Sequence, residues 1–167
     1  RAALGDELLQ SALLQVETGF VKRRAAAVAA PPEFEALRDE AKAIKEHSLA
    51  HLDLYLEAYE AKVRESGGVV HFAETAEEAR KTVLDICRSV NARTVAKGKS
   101  MVAEEIGLNE YLEAAGLEPV ETDLGEYIIQ LRKEAPSHII APAVHLRHEQ
   151  IEATFRAAHT ALPATRD

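Results

Sequence analysis

The chain reads TVAKGKSMVAEE at residues 94–105 and EPVETDLGEYIIQ at residues 118–130, and both stretches have the same order of parts. Each begins with a short run of β-prone residues and continues into a helical pattern. The runs that alternate with helical patterns in this way are 69–72, 94–97, 118–120 and 138–141. Strands that are separated by helices cannot pair as hairpins, so we expect an α/β fold with a parallel sheet and flanking helices.

Ahead of this alternating region the chain shows only helical patterns. Apolar residues recur every four positions from Leu4 to Phe20, which is the stripe of an amphipathic helix. A second helical stretch stops at Gly67-Gly68, a typical carboxy-terminal cap. We therefore expect an amino-terminal helical arm over residues 1–66 and a partial α/β domain over residues 67–167.

Composition restricts the classes of partner. The 28 acidic and 20 basic residues give a formal net charge of -8, which argues against sequence-independent binding of nucleic acid or of an anionic bilayer. No apolar run approaches the roughly 20 residues that span a membrane. The single cysteine, Cys87, can form neither an internal disulfide nor an all-cysteine cluster, and we interpret it as a packed thiol in a reducing cytoplasm. Because the sequence opens on Arg1 inside an amphipathic pattern, we expect a piece of a longer chain.

Candidate anion-binding residues follow the predicted strand 94–97. Ligands of open parallel sheets gather at the carboxyl ends of the strands. There Lys97, Lys99 and Ser100 could hold a carboxylate or phosphate through lysine charge and helix-start amides. The alternative is a solvated loop in which Ser100 caps a helix, and helix caps are commoner than binding sites.

Candidate acid–base residues follow the next predicted strands. Asp123 has Glu126 three residues later, the spacing of a capping box, so we interpret Thr122 and Asp123 as a helix cap or site residues and favour the cap. Glu121 follows the strand without filling the cap position, which makes it a candidate catalytic acid or base. His145 is the second candidate, although a lone histidine beside a helix start is more often a surface or capping residue.

No metal site is predicted. His47 and His51 are spaced i, i+4 in a helical pattern with Glu46 beside them. The His-Glu-x-x-His order of a zinc peptidase is absent, and solvated face residues are the better interpretation.

Several motifs occur together and in a fixed order. Lys97-Gly98-Lys99-Ser100-Met101 and Glu104-Glu105-Ile106-Gly107-Leu108-Asn109 come first, followed by Glu121-Thr122-Asp123 and Pro142-Ala143-Val144-His145. This combination resembles the amino-terminal part of the lactate utilization protein B family, iron–sulfur proteins that carry a LUD domain. The likeness is sharpest from about Thr94 to Phe155, and Gly98 departs from the usually larger residue of the family pattern.

The resemblance implies an α/β fold like that of sugar-phosphate isomerases and coenzyme A transferases, and a part in oxidising L-lactate to pyruvate. Relatives of full length are expected to carry [4Fe-4S] clusters on downstream cysteine motifs. This fragment lacks those motifs, so we expect it to hold no cofactor and to be inactive alone. Alternatives are an independent enzyme acting on a phosphorylated sugar or acyl thioester, or a structural assembly module.

The resemblance also implies which partners to expect. They are other subunits of a lactate utilization complex and a small organic acid. Because an incomplete parallel sheet leaves an open edge, we further expect self-association.

Overall fold

The structure is a computed structural model that describes residues 2–162. Its α-helices are α1 (Glu7–Val16), α2 (Lys22–Ala29), α3 (Phe34–Ala50), α4 (Leu52–Glu65), α5 (Ala76–Ser89), α6 (Met101–Glu105), α7 (Leu108–Ala114), α8 (Leu124–Arg132) and α9 (His148–Ala158). The strands are β1 (Thr94–Lys97) and β2 (Glu118–Glu121). A 3-10 turn covers Ala2–Gly5 and a π-helical turn covers Glu17–Val21.

The chain forms two compact units. One contains the chain up to Gly19 together with the chain from Glu74 onward, and the other is Phe20–Ala73. The strands and the helices that flank them belong to the first unit. The boundary expected at residue 66 between an arm and a LUD α/β domain stays a prediction.

The predicted end of the second helical stretch is confirmed. Gly67 has a φ of +83°, a conformation that favours glycine, and the Gly68 amide donates to the Val63 carbonyl at 2.8 Å. The last turn of α4 is thereby closed. In the part of the chain that the structure describes, no helix combines the length and the apolar character needed to cross a membrane.

The two strands pair in parallel. Thr94 lies opposite Glu118 at one end of the ladder, and Lys97 lies opposite Glu121 at the other. The connection between them runs through α6 and α7. This arrangement confirms the predicted α/β class, and it brings the carboxyl ends of both strands to one edge, where the candidate residues follow.

Two of the predicted strands are absent from the described residues. The segment 69–72 has irregular backbone, and its apolar side chains Val69 and Phe72 are exposed. The segment 138–141 bends, because the His138 Nδ1 accepts from the amides of Ile140 and Ala141, both at 3.1 Å. Amides that donate to a neighbouring imidazole cannot join a strand ladder, which explains why 138–141 is not a strand. The strands predicted at 69–72 and 138–141 were therefore both wrong.

A small apolar core supports this edge of the sheet. Leu84 and Cys87 are spaced i, i+3 on α5, and Leu108 and Leu112 are spaced i, i+4 on α7, so each pair shares one helix face. These residues pack with Ala103 and Leu117, and Leu112 is fully buried. Cys87 is buried among them, as the interpretation of a packed thiol required.

Candidate functional site

An ion pair joins the last residues of the two strands. Lys97 Nζ contacts Glu121 Oε1, and only 14% and 7% of the two side chains is exposed. A carboxylate or ammonium that is removed from water costs several kcal/mol unless it is paired, so each of these groups depends on the other. The pair therefore holds the carboxyl ends of β1 and β2 together.

A second ion pair joins Lys99, two residues after Lys97, to Glu126. Lys99 Nζ contacts the carboxylate of Glu126, whose side chain is 6% exposed, and lies 3.9 Å from Glu104 Oε1. The hydrogen bond to Glu126, helped by the negative charges of Glu126, Glu104 and Asp123, raises the pKa of Lys99 despite the opposing effect of burial. The ammonium group therefore stays charged throughout the physiological range.

Ser100 and Asp123 serve as helix N-caps. Ser100 Oγ accepts from a first-turn amide of α6 at 3.2 Å, and Asp123 Oδ1 accepts from a first-turn amide of α8 at 3.0 Å. Glu126 has the sequence position of a capping-box partner for Asp123, but its carboxylate pairs with Lys99. Local spacing alone could not reveal this long-range partner.

Thr122 extends the strand pairing by one residue. Its amide and its hydroxyl both donate to the Lys97 carbonyl, at 2.9 Å and 3.1 Å. The hydroxyl is thus hydrogen-bonded to the last residue of β1, which keeps Lys97 and Glu121 in register.

These two ion pairs involve both lysines of the predicted anion-binding site, which consists of Lys97, Lys99 and Ser100. An anion approaching the two lysines would compete with the carboxylates of Glu121 and Glu126, which are already in place. Anion binding by these three residues stays a prediction.

A side chain closes the outer edge of β2. Gln130, on α8, accepts from the Glu121 amide at 3.1 Å and donates to the Pro119 carbonyl at 2.7 Å. A neighbouring parallel strand would offer the same donor and acceptor to the residues on either side of Val120. The Gln130 carboxamide therefore takes the place of a third strand at this point.

Asn109 is a further member of the site that the sequence did not single out. Asn109 lies on α7, and its Nδ2 donates to Glu121 Oε1 at 2.9 Å. The same oxygen also contacts Lys97 Nζ. Within residues 2–162, Glu121 Oε2 and Asn109 Oδ1 are buried without a hydrogen-bond partner. Most buried polar atoms in proteins have a partner, which makes this pair of acceptors unusual.

His145 belongs to a separate group of contacts. Its Nδ1 lies 2.8 Å from Ser137 Oγ, and its Nε2 lies 3.1 Å from Glu134 Oε2. Hydrogen bonds from Arg132 first and then from His145 lower the pKa of Glu134. The structure thus brings His145 to Glu134, whereas Glu121 bonds to Lys97 and Asn109; the catalytic roles of Glu121 and His145 stay predictions.

An open cleft of about 740 Å³ is lined in part by Asn109, Glu121, Glu126 and Gln130. Glutamates are the most frequent residues in its lining, and Lys133 is the one basic residue among the residues that line it. Its acidic residues are Glu104, Glu110, Glu113, Glu121, Glu126 and Glu134. The other lining residues include Asn109 and Gln130, so the cleft is bordered by both amides of the site.

The fold and site together define an α/β module whose polar edge is built from paired lysines and glutamates. Residues 56–166 match the family model of the LUD domain. The chain belongs to the LUD domain family, which confirms the resemblance seen in its motifs.

Three relatives illustrate the similarity. Lactate utilization protein B of Macrococcus caseolyticus (strain JCSC5402) is 45% identical over 157 residues, covering 93% of this chain and 33% of that protein. Lactate utilization protein B of Exiguobacterium sp. (strain ATCC BAA-1283 / AT1b) is 43% identical, covering 91% and 32%. An uncharacterized electron transport protein of Escherichia coli (strain K12) is 41% identical, covering 90% and 32%.

The chain thus spans about a third of the length of the curated relatives it matches. No solved structure matches it significantly. The expected likeness to sugar-phosphate isomerases and coenzyme A transferases therefore stays a prediction.

The closure of the β2 edge by Gln130 is open to a direct test. We expect Gln130→Ala to lower the free energy of unfolding by about 1–3 kcal/mol, because a buried amide and a buried carbonyl lose their partner. Gln15→Ala, at an exposed position of α1, is the control and should change it by less than about 0.5 kcal/mol. Chemical denaturation measures both, and equal midpoints for the two variants would rule out this role.

The contacts of Glu134 predict a dependence on pH. Its folded-state pKa lies below its ordinary value of 4.5, so the ionised carboxylate stabilises the folded state above that pH. This contribution is lost as the pH falls through the lower, folded-state pKa. We expect the wild-type protein to lose more stability on acidification below about pH 4.5 than Glu134→Gln does.

Thermal unfolding across a pH series measures this difference. Glu113→Gln removes an exposed carboxylate for which no ion pair is found in residues 2–162, and it should follow the wild-type profile. Parallel pH profiles for wild type and Glu134→Gln would show that the contacts to Arg132 and His145 are not formed.

Proposed function

We propose that the chain is the α/β part of a protein that acts in lactate utilization, as a subunit of an oxidoreductase that converts L-lactate to pyruvate. The observation that carries the proposal is the 45% identity to a lactate utilization protein B over 93% of this chain. The relative named as an electron transport protein supports the redox part of it.

The proposed reaction needs an electron acceptor. Oxidation of L-lactate breaks the C2–H and O–H bonds, and it releases two protons and two electrons as the ketone of pyruvate forms. Iron–sulfur clusters elsewhere in the full-length protein would accept the electrons one at a time. The residues of this chain do not fit such a cluster, because its one cysteine, Cys87, is buried in the apolar core.

The electrostatics of the site favour an assembly role over lactate binding. A lactate carboxylate needs a cation with free hydrogen-bond donors, but Lys97 and Lys99 are each paired with a buried glutamate. The neighbouring cleft has an acidic lining that repels an anion. We therefore propose that this part of the protein holds other parts or subunits of the lactate utilization system in place, while lactate reacts elsewhere.

The remaining expectations belong to the same proposal. The cytoplasmic location rests on the single cysteine, and self-association rests on the open edge of the sheet. Gln130 occupies the outer edge of β2 at Glu121 and Pro119, so edge pairing between copies would have to use β1.

A comparison of the complete assembly with this chain tests the proposal. We expect the full-length protein with its partner subunits to reduce an artificial electron acceptor when L-lactate is added, and this chain alone to show no turnover. The assembly without lactate is the control for background reduction. Two results would contradict the proposal: no lactate-dependent reduction by the assembly, or undiminished turnover by the isolated chain.

A further inference from the structure

A serine, a histidine and a glutamate form a hydrogen-bonded chain in the segment between α8 and α9. Ser137 Oγ lies 2.8 Å from His145 Nδ1, and His145 Nε2 lies 3.1 Å from Glu134 Oε2. A hydroxyl within hydrogen-bond reach of a base, with that base oriented by a third group, is the arrangement that activates a serine as a nucleophile. None of the three residues belongs to the ion pairs at the ends of the strands.

Arg132 holds Glu134 in position for such a role. Its Nε donates to Glu134 Oε1 at 2.9 Å, while Glu134 Oε2 lies beside His145. The hydrogen bonds from Arg132 and then from His145 keep the pKa of Glu134 below its ordinary value, so its carboxylate is ionised at neutral pH. An ionised carboxylate beside Nε2 keeps the proton of a neutral imidazole on that nitrogen. The Nδ1 of His145 is then free of a proton and can act as a base toward Ser137.

The Ser137 hydroxyl has two acceptors for its one proton. They are His145 Nδ1 at 2.8 Å and the Pro142 carbonyl at 2.9 Å. The Pro142 carbonyl also accepts from the Ser137 amide at 3.0 Å, so it keeps a donor when the hydroxyl turns to His145. The proton can therefore pass from Ser137 Oγ to His145 Nδ1 without leaving a carbonyl unpaired.

The backbone after Ser137 offers donors and apolar surface to a substrate. Within residues 2–162, the amides of His138 and Ile139 donate no hydrogen bond. The amide that follows a nucleophilic serine is a known donor to the oxyanion of acyl transfer. Ile139 and Ile140 are 58% and 81% exposed, so the surface next to the serine is apolar. An uncharged acyl group with an alkyl chain suits these surroundings.

We propose that Ser137 is a nucleophile toward uncharged carboxylic esters, with His145 as its base and Glu134 as the residue that positions His145. The bond between Ser137 Oγ and the acyl carbon forms as the hydroxyl proton passes to His145 Nδ1. The ester C–O bond then breaks, and the alcohol leaves with that proton. Water, deprotonated by His145, releases the carboxylic acid and restores Ser137. This hydrolysis goes beyond the role in lactate utilization and needs no electron acceptor.

Mass spectrometry after treatment with diisopropyl fluorophosphate tests the nucleophile. The reagent loses fluoride as its phosphorus bonds to the oxygen of a serine that a base activates. We expect an adduct on Ser137. Ser89, exposed at the end of α5 with its hydroxyl donated to the Ile86 carbonyl at 2.7 Å, is the internal control and should stay unmodified. Absence of an adduct on Ser137, or equal modification of both serines, would overturn the proposal.

A pair of histidine variants tests the base. His145→Gln keeps a polar side chain but removes the base, and it should slow the modification of Ser137 by about a hundredfold. His148→Gln, which changes an exposed histidine at the start of α9, is the matched control and should react as wild type does. Circular dichroism must show that both variants are folded. An unchanged rate in folded His145→Gln would contradict the assignment of the base.

Hydrolysis of p-nitrophenyl butyrate tests the full reaction and the role of Glu134. We expect wild type to release p-nitrophenol at least about tenfold faster than Ser137→Ala does, since that variant has no nucleophile. Glu134→Gln should lower kcat by about tenfold and leave KM unchanged, because Glu134 orients the base without touching the ester. Equal rates for wild type and Ser137→Ala would overturn the proposal, and a changed KM with unchanged kcat would refute the positioning role.

Discussion

The buried ion pair between Lys97 and Glu121 is the interaction on which the rest of the site depends. It joins opposite residues of the parallel ladder, so it forms only when β1 and β2 are in register. The Glu121 carboxylate also accepts a hydrogen bond from the Asn109 side chain, and the Glu121 backbone amide donates one to the Gln130 side chain. One residue thus connects both strands with α7 and α8. A charge that is mostly removed from water tolerates few other arrangements, because losing its partner is costly.

A two-stranded sheet is marginal by itself, so its geometry depends on the helices around it. Leu112 of α7 is fully buried against the face of α5 that carries Leu84. Gly107, with a φ of +61°, allows the sharp turn between α6 and α7. That turn sets the start of α7, from which Asn109 reaches Glu121. The short helix α7 therefore contributes to both the apolar core and the polar site.

The sequence predicted the α/β class and the strand ends because β-prone runs and helix caps are local signals. It did not predict that 138–141 would bend, because a local pattern cannot tell whether the His138 imidazole or a partner strand takes the amides. The segment 69–72 shows the same limit, since a β-prone run needs a neighbour to become a strand. Strand propensity was therefore reliable only where a second strand lies alongside.

The lysines of the site were visible in the sequence, but their partners were not. Lys99 and Glu126 are 27 residues apart, and the local spacing suggested that Glu126 would serve a helix cap. An asparagine or glutamine in a helical pattern carries no local sign of its target, so Asn109 and Gln130 could not be distinguished from surface amides. The family motifs pointed to the right edge of the sheet, while the pairing of its charges required the three-dimensional structure.

A double-mutant cycle on Lys97 and Glu121 tests this account most directly. The free energies of unfolding of Lys97→Met, Glu121→Gln and the double variant are measured by chemical denaturation. The account predicts that the double variant is less destabilised than the sum of the single variants, by about 1–3 kcal/mol, because each single change leaves a buried charge unpaired. Effects that add to within about 0.5 kcal/mol would show that the two residues do not interact, and would contradict it.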